Sequence, residues 1–297
     1  MDATTMTMTP PVASPSAGAS CLIISPQRGW RLIDLRELFQ YRDLFFFLVW
    51  RNVKVIYAQT VLGFAWAVIR PLFSMIIFTV VFGQLASIPT DGIPDPLFYY
   101  AALVPWTYFA TSLTGSTTSL VNSANLITKV YFPRIVIPLT PVLSALVDFA
   151  IALGMLGLLM AAFRTAPTWN MVFLPLLVVL MVLTASGIGM WLSALAIQYR
   201  DVKYAVTFLS QFLMYAAPVV WPVSLIGERF PEGGGTIRLV YGLYPMAGVI
   251  EGFRAALFGT TAMPWDLIGM GSLAAVLLFA SGALYFRRME RIFADVV

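Results

Sequence analysis

Long apolar stretches separated by short polar loops dominate the chain from about residue 60 onward. A membrane-crossing helix needs ~20 mostly apolar residues, because the hydrocarbon core is about 30 Å thick and a helix rises about 1.5 Å per residue. Six stretches have this length, near residues 61–87, 97–121, 136–163, 170–197, 204–224 and 265–286. The pattern therefore predicts an all-α, polytopic membrane protein with six transmembrane helices.

Residues 33–57 carry a different pattern, in which apolar positions recur at spacings of three, four or seven. Cations such as Arg51 and Lys54 fall on another face of the same helix. The apolar run Leu44–Trp50 is too short to cross a bilayer. This combination is typical of an amphipathic helix that lies in the membrane interface.

The segment 237–258 is apolar, but it contains Pro245, Gly248 and Gly252 together with a glutamate and an arginine. A seventh span here would move the C-terminal arginines to the opposite side of the membrane. Irregular backbone at membrane depth is tolerated where protein shelters it. We therefore predict a re-entrant or interfacial pair of short helices, broken at Tyr244–Pro245, in which the two glycines allow close helix packing.

The positions of Lys and Arg predict the orientation. Thirteen of the 18 lie in the N-terminal region, in the loops after the second and fourth stretches and at the C-terminus, whereas four lie in the other loops and Arg70 lies within the first stretch. The positive-inside rule then places both termini in the cytoplasm of an inner-membrane protein.

Residues 1–27 are rich in Thr, Ser, Pro and Ala, which predicts a disordered cytoplasmic tail over residues 1–30 and a transmembrane domain over residues 31–297. The apolar run Cys21–Ile24 is too short for a signal peptide. We interpret Cys21 as an incidental thiol rather than a lipid-anchored cysteine.

Composition excludes several classes of protein. Hydrophobic residues make up 60% of the chain and charged residues 11%, with no His and one Cys. A soluble enzyme, a disulfide framework, a Cys/His zinc site and a His-based catalytic triad are therefore excluded. No basic stripe indicates nucleic acid, and no GxxxxGK[ST] loop is present, so any ATP must be bound by another chain. We assign no catalytic residue and no metal site.

Asp148 is the acid that lies deepest in a predicted span, about ten residues into the third stretch and near the bilayer midplane. An ionisable group at that depth is costly and is a functional candidate by default. A structural hydrogen bond to a neighbouring helix is the alternative.

Aromatic residues are abundant, with 22 Phe, 12 Tyr and 8 Trp. Trp106, Tyr108 and Phe109 lie together near the outer end of the second stretch, and Tyr215 and Trp221 lie in the fifth. Such rings offer a passing sugar chain an apolar face and a polar edge. Membrane-interface belts and helix packing are the alternative roles.

Three sequence blocks carry a family resemblance. They are TVLGFAWAVIRPL at 60–72, YRDVKYAVTFLSQFLMYAAPVVWP at 199–222 and YPMAGVIEGFRAALFG at 244–259. Together with the order of the elements, they resemble the membrane subunit of type-2 ABC exporters, in particular those that export O-antigen, capsule or teichoic-acid polymers. The resemblance extends over roughly residues 30–297.

This resemblance implies a homodimer that binds two cytoplasmic ATPase subunits and moves a lipid-linked polysaccharide through the inner membrane, among its lipids. ATP and Mg would be held by the ATPase, with no cofactor in this chain. The loop 122–137 would contain the coupling helix, and residues 33–57 would form a gate helix. The coupling candidates are Asn125, Lys129, Tyr131 and Arg134.

The implied substrate carries an anionic lipid pyrophosphate. Arg51 and Lys54 are one helical turn apart, so both side chains could face one phosphate, and Arg forms bidentate bonds to phosphate oxygens. Arg42 is a further candidate, although its position tends toward the apolar side. Simple anchoring on anionic lipid, or a role in topology, is the alternative for all three cations.

Two other functions remain open at this point. A type-2 ABC permease for small-molecule or drug efflux would share the same architecture. A membrane-embedded enzyme, such as a lipid-linked sugar transferase, is disfavoured because it usually needs clusters of Asp, Glu or His in its loops.

Overall fold

A computed structural model describes residues 39–58, 63, 65–129, 132–231 and 233–290. All regular secondary structure in these residues is helical, which confirms the all-α prediction. The predicted tail at residues 1–30 lies outside them. The helices are α1 (Arg42–Tyr57), α2 (Ala65–Phe78), α3 (Asp95–Asn122), α4 (Ala124–Lys129), α5 (Val136–Ala162), α6 (Leu174–Gln198), α7 (Val202–Ala216), α8 (Ser224–Arg229), α9 (Gly234–Gly242), α10 (Pro245–Phe258) and α11 (Trp265–Glu290).

Four helical segments of the described residues are long and apolar enough to cross a membrane. They are Ala65–Leu85, in which a π-helical turn extends α2, Val136–Ala162, Trp169–Gln198, in which a 3-10 turn precedes α6, and Trp265–Glu290. Helix α3 has 28 residues, which is sufficient length, but its Tyr, Thr, Ser and Pro residues lower its mean hydropathy. Six spans therefore stay a prediction, whereas the four segments support an integral membrane protein.

The predicted fifth span, 204–224, is not one continuous helix. Helix α7 has 15 residues and ends at Ala216, so it covers only about 22 Å. Pro218 and Pro222 follow, and proline cannot donate the backbone hydrogen bonds that would continue a helix. The chain from Ala217 to Val220 is buried but irregular.

Helix α3 lies at the centre of the packing and contacts α5 and α6, while α6 also packs against α11. The close approach of α6 and α11 depends on glycine. A Cβ at Gly187 would lie 2.6 Å from the Phe279 backbone nitrogen, and a Cβ at Gly282 would meet the Gly187 carbonyl oxygen. Larger residues at these two positions would push the helices apart.

The segment 237–258 contains a helix break where the sequence places it. Helix α9 ends at Gly242, Tyr244 is extended, and α10 begins at Pro245. All 14 residues of α10 are buried. Whether this pair of helices is re-entrant stays a prediction.

Candidate functional site

Helix α1 packs on the bundle through an apolar face, and a polar contact also joins it to α5. Leu48 and Val53 are buried, and Asn52 Nδ2 donates a hydrogen bond of 2.6 Å to Ser144 Oγ on α5. Asn52 and Ser144 both line a cavity of about 330 Å³ that lies between α1, α3 and α5. The predicted gate helix thus forms one wall of a cavity.

The cavity brings together two residues that the sequence analysis treated separately. Arg51 from α1 and Asp148 from α5 both line it. No ion pair joins them, and neither side chain forms a hydrogen bond or ion pair with another residue that the structure describes. Asp148 lies one turn beyond Ser144 on the same face of α5, which places the carboxylate beside the docking contact of α1. The alternative for Asp148, a structural hydrogen bond to a neighbouring helix, does not occur within the described residues.

Much of the remaining cavity wall is polar. Thr111, Thr118, Ser119, Asn122 and Ser123 come from α3 and the turn after it, and Thr140 and Ser144 come from α5. Several of these hydroxyls donate to a carbonyl of their own helix. The bonds are Thr118 to Thr114 at 3.2 Å, Ser119 to Ser116 at 2.7 Å, Thr140 to Val136 at 2.8 Å and Ser144 to Pro141 at 3.1 Å.

The two other gate candidates lie elsewhere. The Lys54 ammonium lies 5.5 Å from the centre of the Trp50 ring. Arg42 lies 4.7 Å from the Phe39 ring centre and 3.7 Å from the Asp43 carboxylate. Neither residue lines the cavity. Of the three cations, the structure therefore places only Arg51 there.

The five candidate aromatic residues fall into two groups. Trp106, Tyr108 and Phe109 are buried in the bundle, where the Tyr108 hydroxyl donates to the Val142 carbonyl at 3.0 Å. These three side chains do not face an open surface of the chain. Tyr215 is 60% exposed on α7, and Trp221 is half-buried with its ring 5.5 Å from that of Tyr241.

Tyr215 belongs to a longer exposed stripe on α7. Tyr204, Phe208 and Phe212 are spaced by four residues and are all exposed, as is Tyr215 three residues later. Residues at spacings of three and four lie on one face of a helix. Among the candidate aromatic residues, Tyr215 within this stripe is therefore on an exposed surface, and the cluster on α3 is not.

The predicted coupling residues are placed at the end of the bundle where α3 ends and α5 begins. Asn125 and Lys129 are exposed on the short helix α4. Arg134 instead donates from Nη1 to the Glu290 carbonyl at the end of α11, at 2.8 Å. Tyr131 lies outside the described residues.

Arg254, counted above with the four cations of the other loops, lies in a buried helix and not in a loop. Arg254 is 1% exposed within α10. It donates to Glu251 Oε1 at 3.1 Å, to the Pro218 carbonyl at 2.7 Å and to the Val219 carbonyl at 2.9 Å. Its guanidinium also lies 3.4 Å from the centre of the Phe98 ring. Every side of this buried cation is therefore occupied.

Glu251 completes the cluster by accepting a hydrogen bond of 3.1 Å from the Val223 backbone N–H. The pair thus ties α10 to the irregular chain that follows α7. The sequence contained one signal of it, because Glu and Arg three residues apart lie on the same helix face. That spacing alone could not show that the face is buried.

Two tyrosines of the α9–α10 region bind the end of α7. The Tyr241 hydroxyl donates to the Ala216 carbonyl at 2.7 Å, and the Tyr244 hydroxyl donates to the Leu213 carbonyl at 3.3 Å. The last four carbonyls of a helix have no partner within it. The Tyr241 hydroxyl therefore satisfies a carbonyl at the end of α7, whereas the Leu213 carbonyl accepts from Tyr244 in addition to the Ala217 backbone N–H at 2.9 Å.

The predicted re-entrant residues pack as close contacts. Pro245 occupies the first turn of α10, where a missing N–H has no cost. A Cβ at Gly248 would lie 2.8 Å from the Leu267 carbonyl oxygen of α11, and one at Gly252 would lie 2.9 Å from a Leu177 methyl group of α6. Gly248 thus meets rigid backbone, whereas Gly252 meets a side chain that can rotate.

These features define a helical membrane protein with a polar cavity beside a short amphipathic helix and a closed, charged cluster at a broken helix pair. The sequence profile of the ABC-2 type transporter family matches residues 43–258. The chain belongs to this family, whose members are the membrane-embedded transport subunits.

Several curated relatives are similar over nearly their whole length. The O-antigen export system permease protein RfbA of Myxococcus xanthus is 29% identical over 266 residues, which is 89% of this chain and 98% of that protein. Two proteins of the same name from Klebsiella pneumoniae are 25% identical over 257 residues, which is 86% of this chain and 95% of each relative.

Proposed function

We propose that this chain is the membrane subunit of an ATP-driven exporter that moves a lipid-linked, O-antigen-like polysaccharide across the inner membrane. The observation that carries the proposal is the similarity to O-antigen export permeases over 86–89% of the chain. No ATP-binding loop is present in the sequence, so the energy comes from a separate ATPase chain. The small-molecule efflux alternative has no comparable support.

The membrane arrangement in this proposal has six spans and both termini in the cytoplasm. The strong hydropathy of four helical segments and the length of α3 support five of the crossings. Helix α7 and the irregular, buried chain after it provide the sixth. The α9–α10 pair enters and leaves on the periplasmic side, where its contacts to α7 and α11 hold it.

The working unit is a homodimer with two ATPase subunits, and α4 is the element that receives the ATPase motion. Helix α4 begins two residues after the end of α3 and lies six residues before α5, so a push on it reaches two long helices. Lys129 is exposed there and is a docking candidate. Arg134 contributes differently, by linking the start of α5 to the end of α11.

The exposed stripe on α7 gives the polymer a continuous aromatic surface. Rings that bind each sugar weakly suit a chain that must slide past them. Arg51 receives the anionic lipid head group at the cytoplasmic leaflet, since it is the gate cation that reaches the cavity.

Deletion of the gene in its native host tests the proposal. Loss of surface polysaccharide is expected, together with accumulation of the lipid-linked polymer in the cytoplasm and restoration by the intact gene. An unchanged polysaccharide coat with altered sensitivity to small toxic compounds would contradict it and would favour efflux.

A further inference from the structure

The cavity between α1, α3 and α5 has the size of a ligand-binding pocket. Its volume is about 330 Å³, and pockets for small molecules begin near 300 Å³. It lies in a chain that is 60% hydrophobic, yet most of its lining residues are polar. A carboxylate among them that bonds to no described residue, that of Asp148, is costly between membrane helices unless a ligand or water binds it.

Four hydroxyl side chains on the cavity walls offer mainly hydrogen-bond acceptors. These four hydroxyl groups each donate their single hydrogen to a carbonyl of their own helix. They belong to Thr118, Ser119, Thr140 and Ser144. A hydroxyl has one hydrogen but two lone pairs, so these groups offer mainly acceptors to the cavity. The Asp148 carboxylate adds two further acceptor oxygens. A ligand with several hydroxyl donors matches these oxygens, and the Asn122 amide can both donate to it and accept from it.

One side of the cavity is different, because Arg51 offers a cationic fork of donors from α1. It has no ion-pair partner in the described part of the chain. Arginine binds phosphate oxygens through paired, charge-assisted hydrogen bonds. One wall of the cavity therefore carries a group that binds anions, and the other walls carry hydrogen-bond acceptors.

We propose that this cavity binds a glycosyl phosphate. The phosphate is bound by Arg51, and the sugar hydroxyls donate to Asp148 and to the Ser and Thr oxygens. Leu48, Ile56 and Ile137 supply apolar surface for the C–H face of the ring. The inference rests on the proposed function, in which the first sugar of the polymer is joined to its lipid carrier through phosphate.

The location of the cavity suits the binding of that first sugar at the start of transport. Asn122 and Ser123 line the cavity at the junction of α3 and α4, which the proposed orientation places on the cytoplasmic side. The hydrogen bond from Asn52 of α1 to Ser144 of α5 joins two walls of the cavity. A bound sugar would therefore contact both the gate helix and a long helix that continues into the coupling region.

Binding can be measured on the complex with its ATPase partner in lipid nanodiscs, by saturation-transfer NMR. The probes are glucose 1-phosphate and its two halves, methyl glucoside and methyl phosphate. We expect glucose 1-phosphate to bind at least about tenfold more tightly than either half, since each half forms only part of the charge-assisted contacts.

Two substitutions separate the parts of the site. Asp148→Asn should weaken the binding of glucose 1-phosphate and of methyl glucoside about tenfold and leave the binding of methyl phosphate unchanged. Arg51→Gln should weaken the binding of glucose 1-phosphate and of methyl phosphate and leave the binding of methyl glucoside unchanged. Asp43→Asn and Arg70→Gln are matched controls outside the cavity, and they should alter none of the three. Each variant is first checked for an unchanged unfolding temperature.

A glucose 1-phosphate affinity no greater than that of its halves, or one insensitive to both substitutions, would overturn the proposal. A short-chain prenyl diphosphate sugar then distinguishes the sources of the ligand. Displacement of glucose 1-phosphate supports the lipid-linked head group, and its absence overturns that source in favour of a free sugar phosphate. Failure of the proposed function would instead appear as an intact polysaccharide coat in the deletion strain.

Discussion

Two regions of the helical bundle contain charged side chains, and the partners of these side chains differ. At α10, Arg254 and Glu251 bind each other and the surrounding backbone, with the guanidinium 1% exposed. At the α1 cavity, Arg51 and Asp148 share a polar space without bonding to each other or to another described residue. The first region is a closed structural cluster, and the second is open.

This difference assigns different roles to similar residues. A buried charge without a partner costs several kcal/mol, so a closed cluster is required merely to fold that region. A charge that faces an open cavity is less costly and stays available to bind a ligand. Stability should therefore depend on the α10 cluster, and substrate handling should depend on the cavity.

The largest expected effect is on Arg254. Arg254→Met removes the donors to Pro218 and Val219 and leaves Glu251 as an uncompensated buried charge, which should destabilise the fold by about 3–5 kcal/mol. Thermal unfolding in detergent would measure this as a large fall in unfolding temperature. The double variant Arg254→Met, Glu251→Met should recover part of the loss, and no recovery would argue against the closed ion pair.

A matched pair of amide substitutions sharpens the comparison. Glu251→Gln weakens a charge-assisted contact and should cost about 1.5–3 kcal/mol. Asp148→Asn should change stability by less than about 0.5 kcal/mol, since its carboxylate bonds to no described residue. Equal falls in unfolding temperature would remove the distinction between the two regions.

Glycine substitutions test how tightly the α9–α10 region is packed. Gly248→Ala places a methyl group against the Leu267 backbone and should destabilise by about 1 kcal/mol, because the overlap exceeds the helix-propensity gain. Gly252→Ala faces the flexible Leu177 side chain and should cost less. Gly269→Ala, with no atom within 4 Å of the new carbon, is the control.

The contrast between the two regions also explains which features could be predicted from the sequence. Apolar length predicted the long helices, and Pro245 predicted the break between α9 and α10, because each depends on local residues. The end of α7 was missed because its apolar composition continues past Ala216, while Pro218 and Pro222 stop the helix. The burial of Arg254 depends on carbonyls 35 and 36 residues away, which no local pattern contains.

The cavity could not be predicted from the sequence for the same reason, since it depends on contacts between distant residues. Arg51 and Asp148 were each singled out by position, one by helical face and one by membrane depth. Their proximity depends on the docking of α1 against α5 through Asn52 and Ser144, residues separated by 92 positions. The aromatic cluster on α3 was a candidate path because of its composition, but its rings fill the bundle interior.

The smallest expected effect concerns the cations of α1, and it tests whether position matters more than charge. Lys54 lies over Trp50 and outside the cavity, so Lys54→Arg keeps its charge and should leave polysaccharide export unchanged. Arg51→Lys also keeps its charge but removes the planar fork that binds two phosphate oxygens, so it should slow export by up to about tenfold. Membrane insertion and ATPase binding should be normal in both variants. The measurement is the amount of surface polysaccharide after a timed induction.

If both variants export normally, α1 acts only by anchoring on anionic lipid, at about 1 kcal/mol per cation. A normal coat in the double variant Arg51→Ala, Lys54→Ala would exclude head-group recognition by this helix.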